Sequence, residues 1–136
     1  MPPCGESNPP TGRFVRAGRG ASLGSMSCIF CKIAAGEAPA DVVYQDDRVL
    51  AFRDLAPQAP VHVLVIPREH VDSADELEDP DVAAALLSGA RKVAQLEGLT
   101  AGYRLVTNVR THGCQSVGHL HFHVLGGAQL GGSLAG

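Results

Sequence analysis

The stretch that decides the fold is QSVGHLHFHVLGG, residues 115–127. It sets His119, His121 and His123 at every second position of an otherwise apolar run. On a β-strand successive side chains point to opposite faces, so the three imidazoles share one face. Leu120, Phe122 and Val124 then fill the other face as core. Three histidines are too polar for a core face, and their apolar neighbours are out of place on an ordinary solvent face. One such histidine would be a surface residue without a role; three in alternation beside a polar loop mark a site.

Two chemistries suit the pattern. Histidines at i and i+2 on a strand can chelate one ion, but His119 and His123 lie ~13 Å apart along an extended strand, so a single ion cannot take all three. Alternatively, a neutral imidazole attacks phosphorus while a neighbour holds the phosphoryl oxygens. Either way the three divide their labour.

Outward from this strand, YRLVTNV (103–109) and VHVLVIP (61–67) read as further strands. DVVYQDDRVLAFRDL (41–55) reads as two short strands around a polar turn at Gln45–Arg48. Asp79 is a suitable N-cap with Pro80 at the first helical position, and Gly98 sits where a C-terminal cap belongs, which predicts one long helix between them. Its stripe of Val82, Leu86, Ala90, Val93 and Ala94 is expected to face a sheet. CIFCKIAAGEAPA (28–40) reads as a short helix and a turn. Strands on both sides of one helix, with hairpin-length loops, imply an antiparallel α+β fold. The expected domain runs from 28 to 127. Residues 1–27, rich in Pro, Gly, Ser and Arg, read as a disordered extension, and 128–136 as a flexible tail. Arg13, Arg16 and Arg19 faintly suggest a transit peptide; we prefer an over-long start with Met26 as an alternative initiator.

With 136 residues, 45% of them hydrophobic, the chain fits one domain with a real core. A net charge of −3 and the lack of Trp weigh against nucleic acid as a partner. No apolar run approaches the ~20 residues of a membrane span, and no signal-peptide core precedes the first motif, so the expected compartment is the cytoplasm. Of the four cysteines, Cys28 and Cys31 form a C-x-x-C that no strand precedes, which disfavours a redox motif. It reads better as half a zinc site, with His70 and His119 available as the other ligands; two inert buried thiols is the competing reading.

The runs QSVGHLHFHV, CIFCKIAAGEAPA, DLAPQAPVHVLVIPREH and GYRLVTN together resemble the histidine triad (HIT) superfamily, and within it the Hint branch. The resemblance implies a homodimer whose sheet extends across both subunits. It further implies binding of purine nucleoside monophosphates and hydrolysis of their phosphoramidates, or of acyl adenylates, through a nucleotidyl-histidine. It assigns His121 as nucleophile, His123 to the phosphate, and His62 to support of the triad by hydrogen bonding. Gln115 and Ser116 fall in the loop that meets the phosphate and the leaving amine, with Ser116 placed to assist departure, and Asn108 lies on the phosphate side. Asp54 matches the carboxylate that takes the ribose hydroxyls, and Ile29, Phe30, Phe52 and Leu55 match the walls of the base pocket. Members with the C-x-x-C hold structural zinc through both cysteines, a histidine like His70 and the first triad histidine, His119. Two features depart from the pattern: Cys114 stands where the branch has Gly, and the tail lacks the branch's Trp-Pro-Pro ending. Relatives acting on dinucleoside polyphosphates or as nucleotidyl transferases, and a regulatory nucleotide-binding module with little turnover, are the alternative functions.

Overall fold

A computed structural model describes residues 28–132 of the chain; the expected N-terminal extension and the last four residues lie outside them. Two helices and five strands follow in order: α1 Ile29–Ala34, β1 Val42–Gln45, β2 Val49–Arg53, β3 Val61–Pro67, α2 Pro80–Leu96, β4 Arg104–Val106 and β5 Phe122–Gly126. A 3-10 turn covers Ala74–Glu76. The strands form one antiparallel sheet in the order β1-β2-β3-β5-β4. The fold is α+β, as the sequence indicates.

Alternation along β2 and β3 builds two cores. Val49, Ala51, Val63 and Val65 pack with Val124 against the α2 stripe of Val82, Leu86, Ala90, Val93 and Ala94. Leu50, Phe52, Leu64 and Ile66 point to the opposite face and pack with Phe30 and Ile33 of α1. The central strand β3 is therefore buried on both sides, which accounts for its near-continuous apolar run. The ends of α2 follow from local chemistry. The Asp79 carboxylate accepts the Asp81 N–H at 2.9 Å. At the other end Gly98 takes φ +71°, its N–H reaching the Gln95 carbonyl and the Leu99 N–H the Ala94 carbonyl, a Schellman cap. Within α2, a Cβ on Gly89 would come within 3.0 Å of a Val49 methyl, so a glycine lets the helix lie close on the sheet.

Two expected strands prove shorter than their sequence patterns, and the reason is competition for backbone groups. The ladder of β5 begins at Phe122. Before it, the Leu120 N–H goes to the Val71 carbonyl at 2.7 Å. The His119 carbonyl accepts from the His121 ring at 2.7 Å, and the His121 carbonyl accepts the Thr107 hydroxyl at 2.9 Å. Side chains thus hold the main chain where a ladder was expected, and β4 stops at Val106 for the same reason. Only His123 of the three histidines sits in the ladder. The apolar side of the pattern stands: Leu120 and Val124 are fully buried in the α2-side core, with Phe122 packed against it.

Candidate active site and metal centre

The histidines gather on the α1 side of the sheet. His123 lies opposite Leu64 in the β3–β5 register, so His62, two residues earlier on β3, is its diagonal neighbour on the same face. The His62 Nε2 and His123 Nδ1 atoms are 2.8 Å apart. His121 and His123 have ring centroids 5.0 Å apart. Phe30 of α1 sets its ring edge-to-face against His121 at 5.2 Å and against His119 at 5.8 Å. His119, His121 and His62 are buried, at 0%, 3% and 5% exposure. Among the described residues, no buried side-chain nitrogen or oxygen lacks a hydrogen-bond partner.

Burial holds all four rings neutral at pH 7. It lowers the pKa of His121 below the ordinary 6.5, against a hydrogen bond to the His119 carbonyl that pulls it upward. Burial, with His121 and His62 close by, pushes His123 down to about 3. His62 is lowered by burial, with the Asp54 carboxylate opposing. His119 falls to about 4, again chiefly through burial.

Acceptors and donors around each ring fix its tautomer. A carbonyl can only accept, so His121 Nδ1 carries its proton toward the His119 carbonyl and Nε2 is left with a lone pair. In the same way His119 donates Nε2–H to the Pro67 carbonyl at 3.0 Å, and His70 donates Nε2–H to the Asp72 carboxylate at 2.8 Å. Both therefore turn a lone pair on Nδ1 toward the cysteines. His119 Nδ1 lies 3.3 Å from Cys28 Sγ and 3.5 Å from Cys31 Sγ, and His70 Nδ1 lies 3.2 Å from Cys31 Sγ. A tetrahedral ion bound at ~2.3 Å to sulfur and ~2.0 Å to nitrogen would set such atoms about 3.5 Å apart. The four ligand atoms all lie within 4.8 Å of one another, so the set fits a closed tetrahedral metal site. Burial, and then the nearby Cys28, push the Cys31 thiol up to about 12, so ionising both sulfurs here calls for a cation between them. Cys28 also caps α1, its sulfur accepting the Cys31 N–H at 3.4 Å.

The remaining expected residues are placed unevenly. Asp54, just past β2, stands 3.4 Å from His62 Nε2 and accepts the Ala56 N–H at 2.8 Å. Phe30 and Phe52 are buried and in edge contact at 5.4 Å, Ile29 is half-buried, and Leu55 is fully exposed beside Asp54. Asn108 and Ser116 are half-buried in the segments flanking the 109–115 loop. Gln115 lies at the end of that loop, and its side chain is engaged within the protein. Its Oε1 accepts the Arg110 N–H at 2.8 Å, its Nε2 donates to the Asp72 and Val117 carbonyls, and its own N–H goes to the Arg110 carbonyl. Gln115 thus closes the loop at Arg110 and ties it to Asp72 and Val117. That loop is tight: Arg110 and Cys114 both take left-handed φ values of +53° and +65°, and the Arg110 guanidinium pairs with Asp75 and Glu76.

Sequence reasoning did not find Asp72, the Pro67 carbonyl, the Gln58 amide or Thr107. Asp72, two residues past His70, could have been suspected as the carboxylate that orients a ligating histidine. The main-chain groups leave no trace in residue identity.

Fold and site together define a protein with a histidine cluster on the face of an antiparallel sheet, adjoining a two-cysteine, two-histidine donor set. A model described as the HIT domain matches residues 35–130, and the chain belongs to that family. It is 46% identical over 110 residues to the purine nucleoside phosphoramidase of Escherichia coli (strain K12), covering 79% of this chain and 92% of that protein. It is 48% identical over 106 residues to a 14 kDa zinc-binding protein of Brassica juncea, covering 75% and 94%. The crystal structure of a HIT family hydrolase from Legionella pneumophila Philadelphia 1 superposes with a TM-score of 0.74 at 50% identity, covering 78% of this chain and 97% of that one.

Proposed function

We propose that the chain is a hydrolase of purine nucleoside phosphoramidates that works through a covalent nucleotidyl-His121. The observation that carries this reading is the state of His121: buried, neutral, its Nδ1–H held by the His119 carbonyl and its Nε2 bearing the lone pair. Nε2 attacks phosphorus, the P–N bond to the leaving amine breaks, and the amine takes a proton. Water then attacks the nucleotidyl-imidazole, releasing the monophosphate and restoring the ring. His123 contacts the phosphoryl oxygens and Ser116 assists the amine. Asp54, an acceptor-only group when ionised, takes the ribose hydroxyls. Ile29, Phe30, Phe52 and Leu55 border the base, with Asn108 on the phosphate side. Gln115, whose side chain holds the loop in shape, meets the phosphate with that loop. The resemblance in sequence to the E. coli phosphoramidase supports the substrate class.

Cys28, Cys31, His70 and His119 would hold zinc. Four protein donors leave no open position, so the ion would supply structural cross-linking and no activated water. The name of the Brassica relative supports zinc as the metal. The functional unit is taken as residues 28–127 and as a homodimer, for which the short edge strand β4 offers unpaired backbone groups. No helix among the described residues is long and apolar enough to cross a membrane, and the cytoplasm is the proposed compartment.

The test is a turnover panel of adenosine 5′-phosphoramidate, an acyl adenylate and a dinucleoside polyphosphate, with rapid-quench capture of AMP on His121. The phosphoramidate should turn over fastest and the adduct should map to His121. Preference for the dinucleoside polyphosphate, or tight AMP binding with no turnover and no adduct, would replace this reading with one of its alternatives.

A further inference from the structure

The ligand atoms of Asp54, His62 and His123 also lie within 4.8 Å of one another. Two histidines and a carboxylate at that spacing are a common metal-binding set. The hydrogen bonds assign them another part. The main-chain N–H of Gln58 points at His62 Nδ1, at 3.0 Å. An amide N–H can only donate, so Nδ1 holds a lone pair there and the single proton of the neutral ring sits on Nε2. That Nε2–H has His123 Nδ1 at 2.8 Å and Asp54 Oδ2 at 3.4 Å, and the shorter contact takes it. His123 Nδ1 is then an acceptor, and the one proton of that ring resides on Nε2.

We propose that the Gln58 backbone amide acts as a positioning group: through His62 it makes His123 a hydrogen-bond donor at Nε2 and keeps this cluster free of metal. The contrast with the other donor set is direct. At His70 and His119 an acceptor behind the ring draws the proton to Nε2 and bares Nδ1. At His62 a donor behind the ring holds the proton on Nε2, the atom a metal would need, so ligation there would require an imidazolate or the loss of the Gln58 hydrogen bond. Two neighbouring histidine clusters on one face are thus sorted, one to metal and one to an acceptor ligand, by whether the group behind the ring is a carbonyl, a carboxylate or an amide. The identity of the acceptor as a phosphoryl oxygen rests on the phosphoramidase reading; the proton order does not.

The experiment is long-range 1H–15N NMR on the full chain, loaded with zinc and labelled at histidine nitrogens. In the wild type His62 and His123 should each show an unprotonated Nδ1 and a protonated Nε2, and the same assignment should hold in Gln58→Ala, which keeps the amide. Gln58→Pro removes that N–H. It should move His62 toward the Nδ1–H tautomer, take up more zinc than the wild type, and turn over adenosine 5′-phosphoramidate roughly 10–100-fold more slowly, the scale for loss of an orienting partner. An unprotonated His62 Nε2 in the wild type overturns the proposal even if Gln58→Pro does not fold. So does a folded Gln58→Pro with wild-type tautomers, or zinc at Asp54, His62 and His123 in the wild type. Wild-type tautomers as expected with no phosphoramidate turnover would sink the proposed function and leave this inference standing.

Discussion

Adjacent residues of the 109–115 loop should respond to substitution in opposite directions. At Gly113 an added Cβ would lie 2.6 Å from the Val109 carbonyl oxygen and 2.7 Å from its nitrogen, both rigid backbone. Cys114 already carries a Cβ, but at φ +65°, where an L-residue other than Gly is strained by about 1–2 kcal/mol. Gly at 114 would relieve that strain while freeing the unfolded chain, which costs about 0.5–1 kcal/mol. The net is a gain of up to about 1 kcal/mol, or roughly 4–8 °C in Tm for a domain of this size. Cys114→Ala retains the strain and should gain nothing. Gly113→Ala should lose at least about 2 kcal/mol, because the backbone must shift and break the loop's hydrogen bonds to do so. Urea unfolding of the three zinc-loaded variants beside the wild type measures all of this. If Cys114→Gly is less stable than Cys114→Ala, the left-handed geometry is not what limits that position. If Gly113→Ala is neutral, the tightness of the loop is misjudged.

The buried neutral rings make stability depend on acid. His123 has a native pKa of about 3 against an unfolded 6.5, so between those values the unfolded chain binds a proton the native one does not. Its contribution is complete above pH 6.5 and is lost as pH falls toward 3, at up to about 1.4 kcal/mol per unit. His123→Asn should flatten that limb of a stability–pH profile, and parallel profiles would refute the assignment. Stripping metal with a chelator should lower the thermal midpoint and restore two titratable thiols; an unchanged midpoint would count against a structural ion. Asp72→Asn keeps all four ligands but weakens the hold on the His70 ring. It should reduce zinc affinity by roughly 10–100-fold in a competition titration, and unaltered affinity would show that the 2.8 Å contact does not orient His70.

How far the sequence could be read depended on which groups carried the information. Side-chain patterns announced the cores: the period of two in VHVLVIP and the stripe of α2 both lead directly to their packing partners. The two-cysteine, two-histidine donor set was legible for the same reason, since donor chemistry resides in residue type, and the fold brings the four atoms together. Strand ends were not, because His119, His121 and Thr107 draw backbone carbonyls into side-chain bonds that no periodicity encodes. The internal bonds of Gln115 were not legible either, because a glutamine's hydrogen-bonding sites can be satisfied anywhere, and here Arg110, Asp72 and Val117 supply the partners. The tautomers lay further still from view. They are set by the Pro67 carbonyl and the Gln58 amide, groups present at almost every position of any chain.

Cys28 is the first residue of the described chain and His119 is 91 positions later, yet their side chains meet. An ion joining them is a clip across almost the whole domain. By the loop-closure relation for a cross-link of that span, such a clip removes roughly 4–5 kcal/mol of unfolded-chain entropy. It also imposes a chronology. During synthesis the donor set cannot be completed until His119 leaves the ribosome, when the sheet is within a few residues of its last strand. Metal capture would then be a late step that fastens α1, and with it Phe30, over the histidine face. A nascent chain truncated before His119 should hold zinc no better than a pair of thiols and one imidazole can.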